Sequence, residues 1–155
     1  MATSEVAREI LAQYLHTWKM LDRLVGEISD EEWDVEASDY LRPGRLAFHI
    51  MLSADFYTDQ MSPMRERFPK QWDEFHAETI PDRATFRAYA QRVQKGVARW
   101  LLGELDAPEE RFPWAGTTRR SVALFLLRHT LYHMGEMNAM LFRGSNGATA
   151  DPWMG

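Results

Sequence analysis

The sequence lacks cysteine, and it lacks any long apolar run. Because the chain carries no thiol, disulfides, thiolate metal ligands and a cysteine nucleophile are all excluded. The longest strongly apolar stretch, residues 122–127, is far shorter than the roughly 18–20 residues that cross a bilayer. The N-terminal residues also lack the charged-then-apolar order of a signal peptide. We therefore expect a soluble, cytoplasmic protein with no membrane partner.

An excess of basic residues is lacking as well. The chain has 18 Lys and Arg residues against 23 Asp and Glu residues, which gives a formal net charge of −5. Such a balance argues against general binding of nucleic acid, since that binding depends on basic side chains. The hydrophobic content of 45% includes six Trp, eight Phe and five Tyr, enough for a substantial core. At 155 residues, the chain is expected to fold as a single domain over residues 1–155.

Apolar residues recur at helical spacing in four segments of the chain. They predict helices over about residues 5–28, 43–61, 82–105 and 118–142. Ser29 and Glu32 have the spacing of a capping box, which predicts a short helical turn after the first helix. About 20 residues separate the second and third helices, too many for a tight turn between neighbours. The pattern indicates an all-α four-helix bundle, with either a crossover or a partly ordered cap between helices two and three.

Two histidines stand one turn apart on the last helix. At 100° per residue, His129 and His133 lie 40° apart on the helix surface, and Glu136 falls on the same side. Two imidazoles placed in this way can share a metal ion, and one ligand from another helix would complete a site. The same spacing also arises by chance, or from two hydrogen-bonded core histidines. The full HExxH motif, which would favour a metal site, is absent.

The second helix offers a third histidine. His49 lies in the middle of an apolar stripe that includes Leu46, Leu52 and Phe56. A lone histidine there is more often a core residue, but together with His129 and His133 it makes a coherent metal-ligand set. His16 lies opposite the apolar stripe of the first helix and is interpreted as solvated. His76, in the long connection, is interpreted as a surface residue rather than a substrate contact.

Three neutral imidazoles define the chemistry that such a site allows. Zinc, nickel and ferrous iron all accept three histidines and keep at least one position open for water or substrate. The uncancelled double charge of the ion lowers the pKa of bound water toward about 7, or deprotonates an arriving thiol. Glu136 has three possible roles here: a hydrogen bond to a ligating imidazole, contact with the water, or service as the base. A salt bridge to an arginine is the structural alternative.

The last helix is also apolar away from its histidines. Leu124, Leu127, Leu131 and Met134 lie on its far side, where a helix of a monomeric bundle is normally polar. Either this helix is unusually deeply buried, or it forms a subunit interface. Of the two explanations we favour a homodimer.

The histidine segments resemble the signature of the DinB/YfiT-like metalloprotein family. The resemblance rests on Leu46-Ala47-Phe48-His49-Ile50 in helix two and on His129-Thr-Leu-Tyr-His133-Met-Gly135-Glu136 in helix four. It implies an up-down-down-up four-helix bundle, frequently dimeric, with a metal held by His49, His129 and His133. It also implies either thiol-dependent S-transferase or isomerase chemistry with bacillithiol, mycothiol or glutathione, or hydrolysis. Many members carry Gln where this chain has Glu136.

Two function classes compete on this basis. The first is a metal-dependent enzyme in which the metal activates a thiol or water against a small electrophilic substrate. The second is a non-catalytic helical stress-response or interaction module with a structural or vestigial metal site. A di-iron carboxylate bundle is set aside, because no histidine in the sequence has Glu three residues before it.

Overall fold

The part of the chain that the computed structural model describes is built of α-helices. The described residues are 4–35, 41–60, 62–64 and 80–144, with the backbone alone for 142–144. The helices are α1 (Glu5–Glu27), α2 (Asp30–Trp33), α3 (Pro43–Tyr57), α4 (Arg83–Leu101) and α5 (Arg119–Gly144). The four long helices predicted from the apolar periodicity are therefore confirmed, and α2 is the predicted short turn.

Polar side chains cap the starts of α1, α2 and α5. The Ser4 hydroxyl accepts from the backbone N–H of Ala7 at 3.1 Å and caps α1. Ser29 and Glu32 form the predicted capping box at α2, each side chain bonding the other residue's backbone N–H. At the start of α5, the Thr118 hydroxyl accepts from the backbone N–H of Ser121 at 3.2 Å. Each such cap stabilises its helix by roughly 1 kcal/mol.

Two helices end earlier than their apolar patterns predict. The second helix was expected to reach about residue 61, but α3 ends at Tyr57, where the Thr58 hydroxyl donates to the Ala54 carbonyl at 2.6 Å. Asp59 then adopts a left-handed backbone conformation with φ of 56°, which no helix can continue. The third helix was expected to reach about residue 105. Leu105 is buried as its spacing suggested, but it lies in a turn beyond the end of α4 at Leu101.

Contacts between α3 and its neighbours give the helix directions. The rings of Tyr57 and Phe125 lie 5.1 Å apart, whereas those of His49 and His133, farther along α5, lie 4.7 Å apart. Helices α3 and α5 are therefore antiparallel. The Phe48 ring, by contrast, packs on Phe86 at 5.4 Å, near the start of α4. Farther along both helices, the Tyr89 hydroxyl donates to Asp55 at 3.0 Å, so α3 and α4 run parallel.

Helix α1 closes the bundle against α4 and α5. Asp22 pairs with Arg87 at 3.6 Å, and Arg83 donates to the Ile28 carbonyl just past the end of α1, so α1 and α4 are antiparallel. Against α5, the Tyr14 hydroxyl donates to the Ala123 carbonyl at 2.6 Å. The order of directions is up for α1, down for α3 and α4, and up for α5. This confirms the expected up-down-down-up bundle; the expected crossover falls largely on residues 65–79, outside the described part.

Helix α3 is the most deeply buried element. All of its residues except Phe56 are buried, because α4 and α5 pack on it from two sides. His49 therefore has only 1% of its surface exposed. The buried position of His49 places its imidazole against the middle of α5, where the other two histidines lie.

The far side of α5 divides between core and surface. Met134, one of the four residues expected at an interface, is fully buried within the bundle. Leu127 and Leu131 are partly exposed, and Leu124 is 51% exposed. Deep burial thus explains Met134 but not the three leucines, and the homodimer stays a prediction. Across the described segments, no helix combines the length and apolarity needed to cross a membrane.

Candidate metal centre

Three histidines from two helices converge between α3 and α5. The Nε2 atom of His129 lies 3.2 Å from Nε2 of His49 and 3.2 Å from Nε2 of His133. The ligand atoms of all three lie within 4.8 Å of one another. In the described ranges, no other three His, Asp or Glu side chains form such a group. The structure therefore brings together the three residues that the sequence proposed as ligands.

The distances between these nitrogens fit those between two nitrogen ligands of one metal ion. With metal–nitrogen bonds of about 2.1 Å, two ligands are about 3.0 Å apart at 90° and about 3.4 Å apart at the tetrahedral angle. The two observed separations of 3.2 Å lie between these values. Without a metal, three facing Nε2 atoms share at most one proton per pair, so their lone pairs are poorly satisfied. The donor set thus suits one divalent ion.

Burial keeps at least two of the imidazoles neutral. Burial, followed by the nearby His133 and the Arg45 guanidinium, lowers the pKa of His49 to about 3. Burial also lowers the pKa of His129 to about 3, with contributions from His133 and His49. Since only a neutral imidazole offers a lone pair to a metal, both residues are ready to ligate at neutral pH.

Glu136 holds the third imidazole. Its Oε2 atom lies 2.7 Å from Nδ1 of His133, with side-chain exposures of 18% and 13%. An Nδ1–H that donates to this carboxylate leaves the lone pair on Nε2, which faces the other two histidines. No arginine lies within ion-pairing distance of Glu136 in the described part of the chain, so the alternative salt bridge is not formed there. Of the roles considered from the sequence, the geometry matches the hydrogen bond to a ligand.

Comparison with known proteins places the chain in a family. A protein-family model described as the DinB superfamily matches residues 13–137. This span holds all three histidines and Glu136. The chain belongs to the DinB superfamily. No curated protein matches the chain significantly, and no solved structure does.

The second ring nitrogens of His133 and His129 differ in their hydrogen-bond partners in this DinB-superfamily chain. His133 has its carboxylate partner, whereas Nδ1 of His129 is buried with no hydrogen-bond partner in the described residues. The His129 ring is held by packing instead, with Phe125 at 5.9 Å and an interplanar angle of 30°. Glu136 thus orients the His133 ring, and ring contacts orient the His129 ring.

Aromatic side chains extend from the histidines along the surface. Phe125 contacts both the His129 ring and, at 5.1 Å, the Tyr57 ring. Trp114 donates from its indole nitrogen to the Tyr57 hydroxyl at 2.8 Å and is 62% exposed. Sequence reasoning missed this arrangement, because Trp114 lies in an irregular loop whose position depends on packing. The spacing of Phe125, four residues before His129, was the one local sequence feature that indicated an aromatic contact with the histidines.

The remaining candidates lie apart from the centre or behind it. His16 is exposed on α1, as its position opposite the apolar stripe predicted. His76 lies outside the described residues. Arg45, one turn before His49, is 1% exposed and was not singled out from the sequence. The i, i+4 spacing of Arg45 and His49 in the sequence could have indicated that they are neighbours. The charge of Arg45 lowers the pKa of His49.

Proposed function

We propose that the protein binds one divalent transition-metal ion, zinc, nickel or iron, through His49, His129 and His133. We further propose that it is a metal-dependent enzyme of the S-transferase or hydrolase type acting on a small electrophilic substrate. The observation that carries this proposal is the convergence of three Nε2 atoms at separations of 3.2 Å. An ion held there by neutral ligands would supply Lewis-acid activation of an arriving thiol or water.

The chain's own residues set up that chemistry. His49 enters from the buried helix α3, so its imidazole is shielded from water, while the α5 pair is partly exposed. The reacting molecules therefore approach from the α5 side. Glu136 lies on that side and keeps the His133 proton on Nδ1. Because the chain has no cysteine, a nucleophilic thiol has to arrive as a low-molecular-weight cosubstrate.

Elemental analysis tests the metal site. Untagged protein prepared without chelators should contain close to one equivalent of metal, and His133→Ala should lose most of it. His16→Ala is the matched control, since it removes an exposed histidine that lies outside the cluster. Equal metal in both variants, or negligible metal in wild type after reloading, would refute the site. The non-catalytic module would then be the better account.

A thiol-consumption assay separates the two reaction classes. The metal-loaded protein is incubated with an electrophile such as 1-chloro-2,4-dinitrobenzene and with glutathione, bacillithiol or mycothiol in turn. Loss of one thiol beyond the uncatalysed rate supports the S-transferase type. Turnover of activated esters or amides without any thiol supports hydrolysis. A protein that binds metal and does neither favours the module with a structural metal.

We also propose that two copies pair through α5. The support is the apolar strip of Leu124, Leu127 and Leu131, which the bundle leaves at least partly exposed. Light scattering should give twice the chain mass of 18.1 kDa. Leu124→Glu should lower that mass to one chain, whereas Leu15→Glu, an equally exposed leucine on α1, should not. A single-chain mass for wild type would contradict the pairing.

A further inference from the structure

The loop before α5 exposes a large aromatic side chain in a fixed position. Trp114 is 62% exposed, yet its indole N–H is bonded to the Tyr57 hydroxyl at 2.8 Å. Its ring also packs at 5.9 Å on Phe112, which is itself only 5% exposed. Tyr57 is 4% exposed, so both supports are part of the core. The indole is thus a rigid apolar surface that the fold leaves uncovered.

Ring contacts connect Trp114 to the histidine cluster. Tyr57, which holds Trp114, packs on Phe125 at 5.1 Å, and Phe125 packs on the His129 ring at 5.9 Å. Phe125 is partly exposed and lies on the same side of α5 as the two histidines. A molecule that reached the cluster could therefore lie against Phe125 and Trp114. We call these two side chains the aromatic wall.

A cation stands beside the aromatic wall. The Arg128 guanidinium carbon is 5.7 Å from the centre of the Phe125 ring, and the side chain is exposed. In the described residues, no carboxylate forms an ion pair with Arg128. By contrast, Arg111, on the Trp114 side, is committed to Glu109 through hydrogen bonds of 2.9 and 2.7 Å. Arg128 is therefore the cation that is available to a ligand.

We infer that the aromatic wall and Arg128 bind the substrate, which is a small molecule with a planar apolar body and an anionic group. Trp114 and Phe125 contact the planar body, and Arg128 pairs with the anion. The sign of the charge agrees with the cluster, where three neutral imidazoles and the Glu136 carboxylate would leave a bound divalent ion with a net positive charge. This inference rests on the proposed function, because it assigns the substrate class of that site.

Two probes with the same ring system test both parts. Zinc-loaded protein is titrated with 2-naphthoate and with its neutral counterpart 2-naphthalenemethanol, and Kd is obtained from probe fluorescence. Trp114→Ala should raise Kd for both probes by about three- to tenfold, the range of a lost aromatic contact. Arg128→Gln should raise Kd for the carboxylate alone, by about threefold, as expected for an exposed ion pair.

One variant tests whether Tyr57 positions Trp114, and two distant variants test whether the effects are confined to the proposed site. Tyr57→Phe removes the oxygen that holds the indole, so it should weaken both probes less than Trp114→Ala does. Leu15→Ala and Arg8→Gln, both exposed on α1, should leave the two Kd values unchanged.

Zinc content, measured on every sample, distinguishes the two ways of failing. Wild type that retains no zinc would overturn the proposed function, and the inference with it. Zinc-loaded protein whose affinity is independent of Trp114 would overturn the aromatic wall alone. If Arg128→Gln weakened both probes equally, or neither, the anionic group would be refuted.

Discussion

We predict that the hydrogen bond between Glu136 and His133 contributes a measurable share of metal affinity. Removing the carboxylate in Glu136→Ala should weaken metal binding, because the His133 ring loses the partner that fixes its tautomer and direction. The two atoms are 2.7 Å apart, and the side chains are 18% and 13% exposed. A hydrogen bond to a charged group is worth roughly 1.5–3 kcal/mol, and partial exposure favours the lower half. About 1.5–2 kcal/mol corresponds to a 10- to 30-fold rise in Kd.

Competition with a chromogenic zinc chelator measures this Kd. Glu136→Gln keeps an oxygen that can accept from Nδ1–H and should lose only part of the effect, which separates hydrogen bonding from charge. Glu27→Ala, an exposed glutamate at the end of α1, is the control and should not change the affinity. An unchanged Kd in Glu136→Ala would refute the assigned role, whatever the metal content of wild type.

Two further predictions concern folding stability. In metal-free protein, the unfolded state binds protons at His49 and His129 near pH 6.5, whereas the folded state binds them only near pH 3. The contribution of these two neutral imidazoles to folding stability is therefore complete above pH 6.5 and is lost as pH falls toward 3. The free energy of unfolding, measured with urea, should be about 2–4 kcal/mol lower at pH 5 than at pH 7. In thermal unfolding, Gly44→Ala should destabilise by about 1–3 kcal/mol, since its Cβ would lie 2.6 Å from the Trp33 ring. Gly135→Ala, where a Cβ meets nothing within 4 Å, should be neutral or stabilise by up to about 1 kcal/mol.

Each stability prediction has its own control. For the pH effect, His49→Gln should remove about half of the difference between pH 5 and pH 7, and His16→Ala should remove none. An equal pH dependence in His49→Gln and wild type would contradict the assignment to the buried imidazoles. For the glycines, equal effects at positions 44 and 135 would show that the contact with Trp33 adds no cost to the Gly44→Ala substitution.

Local regularities of the sequence determined much of the fold. Apolar spacing at 3.6 residues located the four long helices, and the Ser29–Glu32 capping box located the turn between α1 and α3. The same periodicity placed His129 and His133 on one side of α5, since residues four apart are neighbours on any helix. These features depend on residues close in sequence, so they are readable without the tertiary structure. Helix ends were less well predicted, because Leu105 kept the apolar rhythm beyond the last turn of α4.

The tertiary structure decided which distant residues meet. His49 joins the α5 pair across 80 residues because α3 packs antiparallel to α5, a direction that the residue pattern alone left open. Packing also linked Trp114, through Tyr57 and Phe125, to the ring of His129. Local spacing fixes which face of a helix a side chain occupies, whereas only the contacts between helices fix what that face meets. The sequence by itself thus determined the candidate ligands, and the packing of α3 on α5 decided that they form one site.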